Sequence, residues 1–131
     1  MGERVEPAAH LDTHVVIWLR DGETSKLSPA AAHVIESHRL VASQFVRLEL
    51  QYLQEIGRLT EPPDVLLGYL HDRIGLQMCA LPTAAIVGAA LLQTWTRDPF
   101  DRLITANASA AAALLVTRDR LMRRHYRHAL F

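Results

Sequence analysis

Ala8-Ala9-His10-Leu11-Asp12-Thr13-His14-Val15-Val16-Ile17-Trp18-Leu19 decides how the rest of this chain is read. A short candidate strand, Ala8 to Leu11, runs into an acid. Directly behind the acid the apolar residues switch to helical spacing from Thr13 to Leu19, until Asp21-Gly22 stops them. A strand that ends on a carboxylate and turns at once into a helix opens an α/β unit, where working residues collect at strand ends. The strand itself is poor in β-branched residues.

The same alternation continues outward. Ser28-Pro29 is an N-cap followed by proline at the first helical position, opening a helix to about His38. Leu40 to Ala42 is the next strand. Phe45, Leu48, Leu50, Tyr52, Leu53 and Ile56 then recur at helical spacing until Gly57. Pro62-Pro63 starts a helix through Arg73, Leu76 to Leu81 is strand-like, and Pro82 to Trp95 reads as a largely buried helix. Asp98-Pro99 opens a helix to about Ala110, Ala113 to Val116 is an apolar strand, and a short basic helix follows from Asp119. Strands separated by helices imply an α/β fold with parallel pairing through right-handed crossovers and helices on both faces. No repeat or linker interrupts the pattern, and 131 residues form one domain, 1–131.

Half the residues are hydrophobic and 21% are charged, a globular balance. The longest weakly polar stretch, Ala80 to Trp95, carries Pro82, Thr83, Gly88 and Gln93 and falls short of the ~20 apolar residues of a membrane span. Met1-Gly2-Glu3-Arg4 has no apolar signal core, and Glu6 stands where a myristoylation signal wants Ser or Thr, so a cytoplasmic protein is expected. Cys79 stands alone, which excludes an internal disulfide or thiolate cluster and suggests a small buried hydrophobe.

Net charge is zero, but its distribution is not even. From Arg97 onward seven arginines face three acids, a balance of +4, leaving −4 on the preceding residues. Thirteen of the fourteen cations are arginine, whose planar fork suits phosphate. Arg102, Arg118, Arg120, Arg123 and Arg124 are therefore candidate RNA-phosphate contacts, with a solvated face the alternative.

Three acids sit at or beyond strand ends: Asp12 after the first, Glu49 in the helix after the second, and Asp119 behind the last. Asp98 and Asp101 share one face of a helix's first turn. Carboxylates without His or Cys suit hard cations, Mg²⁺ or Mn²⁺, and the chemistry that follows is metal-assisted phosphodiester hydrolysis. Duller roles compete. Asp98 and Asp101 could form a capping box around Pro99, Asp119 could cap the last helix, and Leu48 and Leu50 leave the facing of Glu49 open. No glycine-rich phosphate loop, His-Glu-x-x-His pair or Gly-x-Ser-x-Gly elbow is present, and the scattered histidines read mostly as surface residues.

Taken together these segments resemble a PIN-domain nuclease, most closely a VapC-type toxin of bacterial toxin–antitoxin pairs. Leu11-Asp12-Thr13-His14 with Trp18-Leu19 resembles the family's opening. Leu27-Ser28-Pro29 with Ile35-Glu36 resembles its second helix. Ser43, Glu49 and Gly57-Arg58-Leu59 resemble the segment of the second acid, and Leu115-Val116-Thr117-Arg118-Asp119 that of the fourth. Arg97-Asp98-Pro99-Phe100-Asp101-Arg102-Leu103-Ile104 is the most specific match, with Asp101 in the place of the third acid. Thr96 departs from the histidine that relatives often carry before the arginine, the opening strand is less apolar than usual, and the N-terminus is extended.

The resemblance implies a three-layer α/β/α sandwich, commonly dimeric, that cuts RNA with metal-activated water. It implies that Asp12, Glu49, Asp101 and Asp119 hold one or two Mg²⁺ or Mn²⁺, with Asp98 a cap or outer ligand and Thr13, Ser43 and Thr117 in support. The partners implied are a cognate antitoxin, a second copy and an RNA substrate. A catalytically silent PIN module that binds RNA or protein would need a missing acid, and none is missing. A receiver domain needs a lysine beyond a late strand, whereas Lys26 comes early; a haloacid-dehalogenase-like phosphatase needs an acid where His14 stands.

Overall fold

A computed structural model describes residues 7–131, so the N-terminal extension and the readings made on Met1 to Glu6 lie outside the described residues. The elements run β1 (Ala8–Leu11), α1 (Thr13–Asp21), α2 (Pro29–Ser37), β2 (Arg39–Ala42), α3 (Gln44–Glu55), α4 (Pro63–Ile74), β3 (Gln77–Met78), α5 (Thr83–Ala90), α6 (Pro99–Ala110), β4 (Leu114–Val116), α7 (Arg120–His125) and β5 (Ala129–Leu130), with a 3₁₀ turn at Thr24–Lys26. All pairings are parallel in the order β3-β2-β1-β4-β5. The chain therefore fills one side of β1 first and returns to the other side with β4. That reversal opens a crevice beyond the carboxyl ends of β1 and β4.

Each boundary has a local cause. Gly22 adopts φ 71° and closes α1 by donating to the Leu19 and Trp18 carbonyls, the left-handed C-cap that glycine makes without a Cβ clash. Ser28 caps α2, Ser43 caps α3, and Asp98 and Asp119 cap α6 and α7 through their side-chain oxygens. Leu11, Val15, Val16, Leu50, Leu66, Leu70, Leu115, Val116 and Met122 form the centre of the main core, each at 2% exposure or less. Burying each such aliphatic stabilises by about 1.5–3 kcal/mol.

Several expectations are corrected. The strand expected over Leu76 to Leu81 shrinks to Gln77–Met78, because only Val41 and Ala42 of β2 remain to pair with it. The helix expected from Pro82 to Trp95 ends at Ala90, where the Arg102 Nε–H takes the Ala90 carbonyl at 2.8 Å. It is also not largely buried: Ile86 and Ala90 face a small second core under α6, while Val87, Leu91 and Leu92 are exposed. Cys79 is only half-buried, its sulfur accepting from Asn107 Nδ2 at 3.1 Å. The pairing of β5 with β4 was not foreseen.

Candidate active site

Leu11 and Asp12 follow one another at the edge where β1 meets β4, and the Asp12 amide donates to the Val116 carbonyl at 3.0 Å. The acid is thereby fixed to the last residue of β4. Its carboxylate is almost wholly buried and fully engaged: Oδ1 accepts from the Thr13 amide at 2.8 Å, and Oδ2 from the Thr117 hydroxyl at 2.6 Å. Burial raises the Asp12 pKa, and these two hydrogen bonds oppose it. Thr117 works twice, since its hydroxyl also accepts from the Asp119 amide at 3.0 Å and so sets the turn that presents Asp119.

Glu49 answers from the other side. It is half-buried on α3, and the Thr13 hydroxyl donates to its Oε1 at 2.5 Å. The ambiguity of its facing is settled: Leu50 turns into the core, Leu48 turns to water at 55% exposure, and Glu49 lies between them toward α1. Burial is the main cause raising its pKa. Asp101 stands one turn into α6, and its own amide donates to Asp98 Oδ1 at 2.9 Å. Its carboxyl is pushed up to about 7, first by burial and then by the charges of Asp98, Asp119, Asp12 and Glu49.

Asp12, Glu49, Asp101 and Asp119, from four different segments, line one cavity of about 310 Å³, with His14, Trp18 and Arg118 completing its wall. Among the described residues, no three acidic, histidine or cysteine side chains stand close enough to grip one ion as placed. The donor chemistry nonetheless fits a hard divalent cation. The acids supply oxygens only, the carboxylates crowd one another electrostatically, and a cation would reverse the sign of that crowding.

The other candidate residues divide. Thr13 and Thr117 hold the acids. Ser43 accepts from the Phe45 amide at 3.0 Å as the cap of α3, and Asp98 caps α6; neither lines the cavity. Among the candidate arginines Arg118 alone does, while Arg102 is turned onto Ala90 and Arg120, Arg123 and Arg124 lie along α7. His14 and Trp18 were not read as site residues. Their spacing of four places them on one face of α1 behind Asp12, and that is the signal that could have found them. Nor is every histidine superficial: His10 is 2% exposed, and burial followed by the Arg39 charge lowers its pKa to about 4.

Comparison with known proteins agrees with this geometry. The PIN domain family model matches residues 9–127. Ribonuclease VapC22 of Mycobacterium tuberculosis (strain ATCC 25618 / H37Rv) is 36% identical over 118 residues, which span 88% of this chain and 89% of that protein. The crystal structure of VapBC2 from Rickettsia felis bound to a promoter DNA fragment contains a chain that superposes with a TM-score of 0.66 at 20% identity, covering 89% of this chain and 92% of that one. VapBC-1 from nontypeable Haemophilus influenzae gives 0.55 at 19% identity, covering 89% and 90%. At such identities the two structures speak to the fold, which they share, whereas the family match and the M. tuberculosis relative cover nearly the whole length. The chain belongs to the PIN-domain family and, within it, to the VapC ribonucleases.

Proposed function

We propose that the chain is a Mg²⁺- or Mn²⁺-dependent endoribonuclease, acting as the toxin of a toxin–antitoxin pair. The observation that carries this reading is the meeting of four carboxylates from four segments in one cavity at the switch point of the sheet. Asp12, Glu49, Asp101 and Asp119 would hold the ion or ions. When bound there, a divalent cation supplies Lewis acidity toward water and a phosphate oxygen.

The chain's own groups do the rest. Thr117 and the Thr13 amide keep the Asp12 carboxylate in one orientation, and the Thr13 hydroxyl does the same for Glu49. Arg118, exposed at the cavity wall, is placed to take a phosphate of the substrate. Trp18, with Phe131 packed on it at 6.0 Å between ring centroids, closes one wall against water.

A partner protein is supported by α3, which has two apolar sides. Val46, Leu50 and Leu53 enter the core, while Leu48, Tyr52 and Ile56 stay about half exposed in a stripe at a spacing of four. A stripe of that kind suits an amphipathic antitoxin helix. The exposed Val87, Leu91 and Leu92 around α5 offer apolar surface to a second copy. No helix of the described residues is long and apolar enough to cross a membrane, and an RNA substrate would place the action in the cytoplasm.

Purified protein should cut end-labelled RNA in Mn²⁺ and stop in EDTA, and Asp101→Asn should lose the cut. Induced without its partner, the parent should arrest growth and the variant should not. A parent that leaves RNA intact in millimolar Mn²⁺ would return the chain to a silent binding module; one that cuts RNA yet leaves growth untouched would keep the nuclease and discard the toxin.

A further inference from the structure

Away from the carboxylates, Trp95 and His125 stack with ring centroids 5.1 Å apart and planes 4° from parallel. The indole N–H is held by Gln93 Oε1 at 2.7 Å, which fixes the Trp95 ring, while His125 is exposed at the end of α7. Beside the pair opens a groove of about 480 Å³ whose walls include Gln93, Ser109, Arg127 and His128.

The setting is cationic and uncompensated. Among the described residues, none of the seven arginines from Arg97 onward enters an ion pair; the pairs present use Arg20, Lys26 and Arg47. Three of these guanidiniums are instead steered by backbone carbonyls: Arg97 by Thr94, Arg102 by Ala90 and Arg123 by Arg118. A carbonyl orients a guanidinium without neutralising it, so the positive charge stays available to an anion.

The stack also lies within reach of the cavity. Trp95 stands three residues before Asp98, and α7 starts from its Asp119 cap and ends at His125, about 9 Å along at 1.5 Å per residue. An aromatic face, oriented cations and a groove of nucleotide size beside a cleavage site are what single-stranded nucleic acid recognises, since every base has a π-face and every linkage a charge.

We propose that the Trp95–His125 stack and its groove form a subsite for a single-stranded RNA nucleotide flanking the scissile bond. The base lies on the open face of His125, and Arg127 and His128 meet its phosphate. The proposal rests on the nuclease reading, but its test does not depend on cleavage. A fluorescently labelled decamer of riboadenylate is titrated by anisotropy into Asp101→Asn protein, and into the same protein carrying His125→Ala, His125→Phe or His125→Lys.

Loss of one base stack should weaken binding by about tenfold in His125→Ala. His125→Phe should restore most of it, and His125→Lys should not. A decamer abasic at the flanking positions should bind the parent as weakly as the full decamer binds His125→Ala. Unchanged affinity in His125→Ala, or rescue by lysine and not phenylalanine, overturns the subsite. A parent that fails to cut the decamer in Mn²⁺ overturns the nuclease reading instead, and the two results are scored separately.

Discussion

Asp101 concentrates the electrostatics of the cavity. Its carboxyl is half-buried among four other acids, so its ionised form is opposed on every side. Asp101→Asn removes one like charge and should melt no lower than the parent in EDTA. The parent should gain from Mn²⁺: an ion at one hundred times its dissociation constant stabilises by about 2.7 kcal/mol, which is several degrees of Tm. The variant should gain little, and calorimetry in both conditions measures the pair. A parent Tm indifferent to millimolar Mn²⁺ would count against these four acids as ligands. Thr117 makes a second residue-level prediction. Its hydroxyl is the only side-chain donor on Asp12, and loss of such an outer partner costs about 10–100-fold in metal affinity. Thr117→Val should show that loss by titration calorimetry and Thr117→Ser should not; equal affinities would mean that Asp12 needs no such support.

Elements were legible where the sequence carried its own punctuation. The Asp12 turn, the glycine stop after α1, the serine caps of α2 and α3 and the Asp98-Pro99 start of α6 each rest on side chains local to the boundary. Elements defined by distant partners were not legible. The end of α5 is set by Arg102, twelve residues beyond Ala90, and β5 has only the two residues Ala129–Leu130, which strand propensity cannot flag. What holds β5 in place is tertiary. The buried Tyr126 hydroxyl donates to the Ala113 carbonyl at 2.5 Å, tying the α7–β5 connection to the start of β4. Tyr126→Phe leaves that carbonyl short of a partner and should cost about 1–3 kcal/mol in urea unfolding. A smaller change would show that water replaces the bond. Gly22→Ala, at φ 71°, should cost about 1 kcal/mol by the same measurement.

At the scale of the molecule, the strand order explains why acids so far apart in sequence meet. Asp12 and Asp119 follow the two strands that adjoin at the reversal, while α3 and α6 start beyond the same sheet edge and bring Glu49 and Asp101. The four acids were readable from sequence because each sits behind a strand or in a helix's first turns. The walls around them, His14 and Trp18, were not, since nothing local separates a helix face turned to a cavity from one turned to water. The molecular consequence is a choice of nucleophile. A ribonuclease that uses the RNA 2′-hydroxyl needs a general base, usually histidine, and leaves a 2′,3′-cyclic phosphate. The four carboxylates here instead favour attack by water in line with the 3′-oxygen. Analysis of the fragment ends from a defined RNA cut in Mg²⁺ tests this most directly: the account predicts 5′-phosphate and 3′-hydroxyl ends and no product in EDTA, and cyclic phosphate ends, or cleavage that persists in EDTA, would contradict it.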